Sequence, residues 1–248
     1  MSCLRIISSL LIRDNRLVKG KNFENHIDSG DPVTTCVAYD SQGIDEILMI
    51  DLDSYNNLKE PNYEIIEKIN KRCNTPFSFG GGIKSEKDAL QCIKRGADKI
   101  LINTNLSKQL VSKISNEIGR ASIIGAADIY YDGKKYNLFK NNTKTNIDAL
   151  EYIKNIMNYE IGELKITYVD REGTRKGFDI EFSKKIQDLC NKPIIFEGGF
   201  SDLDDIGKAF KNGINSIAIG SLITFSDNNI FKIKQYLENK GFEVRLRK

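Results

Sequence analysis

Two clusters of glycine carry the clearest chemical signal in this sequence. Gly80-Gly81-Gly82 is followed, past a helical stretch, by Asn103-Thr104, and Gly198-Gly199 is followed in the same way by Gly220-Ser221. Each cluster stands at the end of a short β-type run, Thr75–Phe79 and Pro193–Phe196, and each small or polar pair stands at the end of the next, Lys99–Asn103 and Ser216–Ile219. Glycine lets the backbone come close to a ligand, and its N–H groups, with a nearby helix N-terminus, can face an anion. A single Gly-Gly pair is ordinary turn chemistry. Two pairs in matching positions point to an elongated, phosphorylated ligand with an anionic group at each end.

The clusters belong to a longer internal repeat. Gly96-Ala97-Asp98-Lys99-Ile100-Leu101-Ile102 is echoed by Gly213-Ile214-Asn215-Ser216-Ile217-Ala218-Ile219, and Asp51 after Met49-Ile50 by Asp170 after Tyr168-Val169. The interval from Asp51 to Gly80 is within one residue of that from Asp170 to Gly198. Three motifs kept in order at matching intervals imply two similar halves. Eight runs read as strands: Arg5–Ile12, Glu46–Leu52, Thr75–Phe79, Lys99–Asn103, Ser122–Ile129, Leu164–Val169, Pro193–Phe196 and Ser216–Ile219. Helical stretches separate them. One, for example, opens on Ser85 with Asp88 as a capping box, presents Ala89, Leu90 and Ile93 on one face, and can end at Gly96. Alternating strands and helices require a parallel sheet with crossover connections. The predicted fold is a (β/α)8 TIM barrel built from two half-barrels, with residues 1–248 as one domain.

Composition supports that choice and excludes others. A chain of 248 residues, 40% hydrophobic, can bury one sizeable core. The formal charge of +3 comes from 37 basic and 34 acidic residues spread along the whole length, which gives no reason to expect a nucleic-acid partner. The opening apolar run is too short for a signal peptide, and no stretch approaches the ~18 apolar residues of a membrane helix. A cytoplasmic protein without a membrane partner is expected. The five cysteines, at 3, 36, 73, 92 and 190, form no C-x-x-C pair and read as reduced thiols. His26 stands alone and is expected in a solvated loop, and neither a metal nor a cofactor is expected.

With these motifs in place, the chain resembles the cyclase family of imidazole glycerol phosphate synthase over nearly its whole length. The most specific stretches are Asn22-Phe23-Glu24-Asn25 through Ser29-Gly30-Asp31-Pro32-Val33, Gly80-Gly81-Gly82-Ile83, and Gly96-Ala97-Asp98-Lys99 with Ile102-Asn103-Thr104. Asp170-Arg171-Glu172-Gly173-Thr174 and Glu243-Val244-Arg245-Leu246 complete them. The related isomerase of histidine synthesis shares the repeat, but the Asn-Phe-Glu-Asn and Arg-Glu-Gly-Thr segments fit the cyclase better. The resemblance implies a subunit that takes ammonia from a glutaminase partner and closes an imidazole ring. It implies one phosphate site at Gly81, Gly82, Asn103 and Thr104, and a second at Gly173, Gly199, Gly220 and Ser221, with Glu172 where the family has aspartate. It places Lys19 in a mobile loop over the substrate, Arg5, Glu46, Lys99 and Glu163 in a charged ring where ammonia enters, and Asp98 at the glutaminase interface. The ring also has a physical logic, since two cations and two anions at strand starts can neutralise one another. Charged, solvated strand ends are the plainer alternative.

The same resemblance implies two catalytic carboxylates, each near the end of a half's first strand. Asp128, in Gly125-Ala126-Ala127-Asp128, matches one, and Leu11 stands where the other belongs. Leu11 shares the inward face of Arg5, because it lies an even number of residues along the strand, whereas Asp14 falls on the opposite face. Leucine cannot transfer a proton, and losing one positioned acid–base group costs on the order of 10²- to 10⁴-fold in rate. Glu197, Phe200 and Glu172 also depart from the family around the second phosphate site, where a carboxylate repels phosphate unless neutralised or turned away. Leu10-Leu11 resembles a subgroup of cyclase-like paralogues in bacterial surface-sugar pathways. That narrower likeness implies an ammonia-conducting subunit in acetamidino-sugar synthesis for lipopolysaccharide, with a sugar amidotransferase as a further partner. The alternatives are a histidine-pathway cyclase with a relocated acid, and a non-catalytic barrel that binds a phosphorylated metabolite and regulates its partner.

Overall fold

Strand periodicity sets the architecture. In the computed structural model, which describes residues 4–56 and 59–245, the strands in chain order are β1 (Arg5–Arg13), β2 (Arg16–Lys21), β3 (Glu24–Gly30), β4 (Glu46–Asp51), β5 (Phe77–Gly80) and β6 (Lys99–Ile102). They continue with β7 (Ile123–Tyr131), β8 (Tyr136–Lys140), β9 (Thr143–Asp148), β10 (Glu163–Tyr168), β11 (Ile194–Glu197) and β12 (Ser216–Ile219). Cys3 of the five cysteines and Leu246 of the terminal motif lie outside the described residues.

Parallel pairing runs β1-β4-β5-β6-β7-β10-β11-β12 and returns to β1, where Arg5 to Ser8 pair with Ser216 to Ile219. The sheet is therefore a closed barrel of eight parallel strands, as expected. Helices pack around it, among them α1 (Pro32–Ser41), α2 (Leu52–Asn56), α3 (Tyr63–Asn70), α4 (Glu86–Lys94), α5 (Lys108–Ile118) and α6 (Ala149–Ile156). The circuit ends with α7 (Ile180–Leu189), α8 (Leu203–Lys211), α9 (Ser221–Thr224) and α10 (Ile230–Asn239). Their starts are chemically marked. Asp31 accepts from Thr34 N–H at 2.7 Å with Pro32 in the first turn, and Ser85 Oγ accepts from Asp88 N–H at 3.2 Å.

Each barrel strand buries both faces. On β1, Ile6, Leu10 and Ile12 face the helices, while Ile7 faces the interior with Leu48, Leu101, Ile124, Ile195, Ala126 and Ala218. Burying each such Ile or Leu contributes about 1.5–3 kcal/mol. That interior layer fills the barrel's waist and separates its two ends. Among the described residues, no helix is long and apolar enough to cross a membrane.

The loop expected after β1 is instead a hairpin, β2–β3, and the second half repeats it with β8–β9 after β7. Three of the connecting turns are two-residue loops with both residues at positive φ: Asp14 (50°) with Asn15 (58°), Asn22 (53°) with Phe23 (65°), and Asn141 (53°) with Asn142 (54°). Such turns match the twist of the strands they join. The third strand begins at Phe77 rather than Thr75, because the Thr75 N–H and hydroxyl are both taken by Asp40 Oδ1, at 3.1 and 2.6 Å.

Candidate active site

At the C-terminal mouth of the barrel lies a cavity of about 290 Å³. Its walls include Gly81, Gly82, Asn103 and Thr104 from one glycine cradle, and Asp128, Leu11, Lys165 and Glu197 from the strands. Gly81 has φ +105°, and a Cβ there would stand 2.3 Å from the Asp51 carbonyl oxygen. At Gly82, with φ +73°, a Cβ would stand 2.7 Å from Ser54 Cβ. Only glycine fits this turn. Asp51 holds the turn in place, accepting from Ser54 Oγ at 2.5 Å and from Asp53 N–H at 2.9 Å. Asn103 then joins the cradle to the chemistry, since its Nδ2 donates to Asp128 Oδ2 at 2.6 Å.

The residues of the second predicted cradle also come together, around a nearly closed cavity of about 20 Å³ lined by Gly173, Gly199, Gly220, Ser221 and Glu172. Lys19 reaches its edge at Gly220. It sits on β2 rather than in a mobile loop, is 4% exposed, and pairs with Glu172 while its Nζ lies beside Gly220. The carboxylates that the sequence adds here are neutralised or turned aside. Glu172 meets Lys19, Glu197 meets Lys165 at 2.5 Å, and Phe200 stacks on Phe178 with ring centroids 4.4 Å apart.

Charge tuning at the mouth is uneven. Burial pushes the Asp128 carboxyl up, against the pull of Lys165 and the hydrogen bonds of Thr167 and Asn103. Burial also pushes Glu197 up, but Lys165 and Lys19 together outweigh it and hold that carboxyl below its usual range. Leu11 points into the cavity, as its register predicts, while Asp14 lies in the hairpin turn beyond β1.

At the opposite end, the four charges of the predicted ring come together. Arg5 Nη1 reaches Glu163 Oε1 at 2.8 Å and Glu46 Oε2 at 3.1 Å, and Lys99 Nζ reaches the same two carboxylates at 3.2 and 3.6 Å. Ser78 Oγ donates to Glu46 Oε1 at 2.7 Å and fixes its rotamer. These are mutually neutralised side chains rather than separately solvated strand ends. Asp98 lies next to Lys99 at the start of β6, exposed, with one carboxylate oxygen accepting from Phe77 N–H at 2.8 Å.

Three mouth residues escaped the sequence reading. Lys165 and Thr167 continue the inward alternation that begins at Glu163 on β10, and the strict polar–apolar alternation of Glu163–Tyr168 was the signal for them. His26, expected in a solvated loop, is half-buried on β3 and lines the cavity. Burial, then Arg13 and Lys19, lower its pKa and keep it neutral at pH 7.

A family model described as histidine biosynthesis protein matches residues 5–228. Over 252 residues the chain is 36% identical to imidazole glycerol phosphate synthase subunit HisF of Sulfolobus acidocaldarius, covering 99% of this chain and 100% of that one. The subunits of the same name from Pyrococcus furiosus and Thermotoga sp. are each 33% identical over 250 residues, at 99% of this chain and 100% and 99% of theirs. The chain belongs to the histidine biosynthesis protein family. This corrects the narrower likeness drawn from Leu10-Leu11. The relatives matched from end to end are subunits of imidazole glycerol phosphate synthase, not paralogues of acetamidino-sugar or lipopolysaccharide synthesis. A leucine pair at one strand end is two residues, and it does not outweigh a family match that spans the barrel.

Proposed function

We propose that this chain is the cyclase subunit of an imidazole glycerol phosphate synthase. In this reading, ammonia from a glutaminase partner enters past the ring of Arg5, Glu46, Lys99 and Glu163, on the face that carries Asp98. It crosses the apolar waist as the neutral molecule and meets a phosphorylated ribonucleotide lying across the mouth. Gly81, Gly82, Asn103 and Thr104 hold one phosphate, and Gly173, Gly199, Gly220 and Ser221 hold the other. Lys19, now engaged by Glu172, is the cation for that second phosphate, so the two anions compete for it. Asp128 transfers protons during ring closure.

The observation that carries the reading is the single cavity in which Asn103 links the first cradle to Asp128 at 2.6 Å. Full-length similarity to the synthase subunits supports it. The test is ring closure on the histidine-pathway ribonucleotide by the purified chain with ammonium salt in excess, which removes the need for a glutaminase. Turnover is expected. A chain that binds the ribonucleotide but never closes the ring would refute the reading and leave a phosphometabolite-binding subunit.

A further inference from the structure

The barrel mouth holds more buried charge than its phosphate cradles use. Lys165 and Glu197 are 2% and 6% exposed, on neighbouring strands β10 and β11. Lys165 Nζ lies 2.5 Å from Glu197 Oε2 and donates to Thr167 Oγ1 at 2.6 Å. Thr167 is the register partner of Asp128 on β7, and Asp128 accepts from Asn103. Glu197, Lys165, Thr167 and Asp128 therefore form one polar line along the wall of the cavity that Leu11 also lines. Stability does not require it. Replacing a buried ion pair by apolar side chains of similar volume is often neutral or favourable, and the register partners of Lys165 on the flanking strands, Ala126 and Ile195, are both apolar.

We propose that Glu197 is the second catalytic carboxylate, acting with Asp128 in place of the acid that Leu11 lacks, and that Lys165 positions it. The assignment rests on the cyclase reading. Addition of ammonia to a carbonyl carbon forms a C–N bond. Asp128 gives its proton to the carbonyl oxygen as Glu197 takes one from nitrogen, leaving a carbinolamine. Glu197 then returns its proton to the hydroxyl, the C–O bond breaks with its electron pair leaving on water, and Asp128 takes the second proton from nitrogen. The product is an imine, and both carboxyls are back in their starting states.

The electrostatics fit these roles. Burial favours the protonated form of Asp128, while Lys165 and Lys19 favour the ionised form of Glu197 in spite of burial. Two carboxyls pushed apart in this way can work as acid and base. Glu197 is faced by Lys165 from β10, Lys19 from β2, Glu172 from the loop after β10, Asp128 from β7, and the Ser9 hydroxyl from β1. Tyr152 of α6 is near enough to Asp128 to feel its charge.

The experiment measures kcat and KM against pH for the full chain with excess ammonium, with rates referred to free ammonia. Glu197→Gln is expected to lower kcat on the order of 10²- to 10⁴-fold, with KM changed less than about threefold. Lys165→Met is expected to move the acid limb of the kcat profile to higher pH, because Glu197 loses the cation that keeps it ionised. A merely structural ion pair would leave that limb in place. Leu11→Asp added to Glu197→Gln is expected to recover roughly tenfold or more of the lost rate. If Glu197→Gln fails to fold, the paired change Lys165→Met/Glu197→Leu replaces it, with the same expected loss. Wild-type kcat in either background, or an unmoved acid limb in Lys165→Met, would overturn the assignment alone. A wild-type chain without turnover would overturn the cyclase reading and the assignment together.

Discussion

Replacing Gly81 with alanine should destabilise the barrel and remove phosphate binding at the first cradle. Two costs add. A Cβ at this position stands 2.3 Å from the Asp51 carbonyl oxygen and 3.0 Å from its carbon, atoms of the β4 backbone that no rotamer change can move. Pushing them back is an overpacking cost of about 1–3 kcal/mol. The φ of +105° adds strain of about 1–3 kcal/mol for any residue with a side chain. Gly119→Ala is the internal reference, because Gly119 has φ +79° but nothing within 4 Å of its Cβ position. It bears the strain without the collision. Urea unfolding of both variants, compared at constant m, should show Gly81→Ala less stable than Gly119→Ala by about 1 kcal/mol or more. Titration calorimetry with a phosphorylated ligand should show affinity lost in Gly81→Ala and kept in Gly119→Ala. Equal midpoints with unchanged affinity would refute the reasoning that close backbone approach builds this cradle.

Other changes test other parts of the molecule. Glu172→Gln frees Lys19, so inorganic phosphate should bind roughly tenfold tighter, about 1.4 kcal/mol, in a calorimetric titration. The same variant removes the direct ion-pair partner of buried Lys19 and leaves it only the more distant charge of Glu197. The ligand-free chain should therefore lose stability by about 3–5 kcal/mol, and phosphate should restore part of it in thermal unfolding. Lys234→Met should cost about 3–5 kcal/mol in urea unfolding. Its ammonium, on a side chain 2% exposed, meets Asp45 at 2.6 Å and the Gly43 and Arg245 carbonyls at 2.5 and 2.7 Å. A loss below about 1 kcal/mol would show that Asp45 is satisfied by Ile6 N–H alone.

Much of the frame was legible because barrel strands are apolar on both faces and end in small residues. Gly81 and Gly199 could be found in the sequence because backbone collision and positive φ leave no other residue. The charged ring was legible only through family likeness, since a charge at a strand start looks the same whether solvated or paired. The hairpins were missed for a physical reason. β3 is exposed or half-exposed along its length, so it lacks the hydrophobic alternation by which strands are read. Asp14-Asn15 and Asn141-Asn142 were the available signal, as pairs tolerant of positive φ, while Asn22-Phe23 offered only its asparagine. Lys19 was placed in a loop through the same omission. Glu197 was seen in the sequence only as an intruder beside a phosphate, because its partner Lys165 belongs to another strand and only the barrel register brings them together.

The repeated hairpins have a consequence for how the mouth behaves as a mechanical object. Phe23 at the tip of one and Phe139 on β8 of the other meet edge to face, with ring centroids 5.9 Å apart, and Tyr130 meets Phe139 at 6.4 Å. An aromatic contact of this kind is worth about 0.5–1.5 kcal/mol beyond the area it buries. Swinging one hairpin away strips that contact from the other, so the two flaps share a hinge penalty although they lie far apart in sequence. Each half-barrel thus contributes one hairpin to the mouth, and the two are tied to each other through these rings.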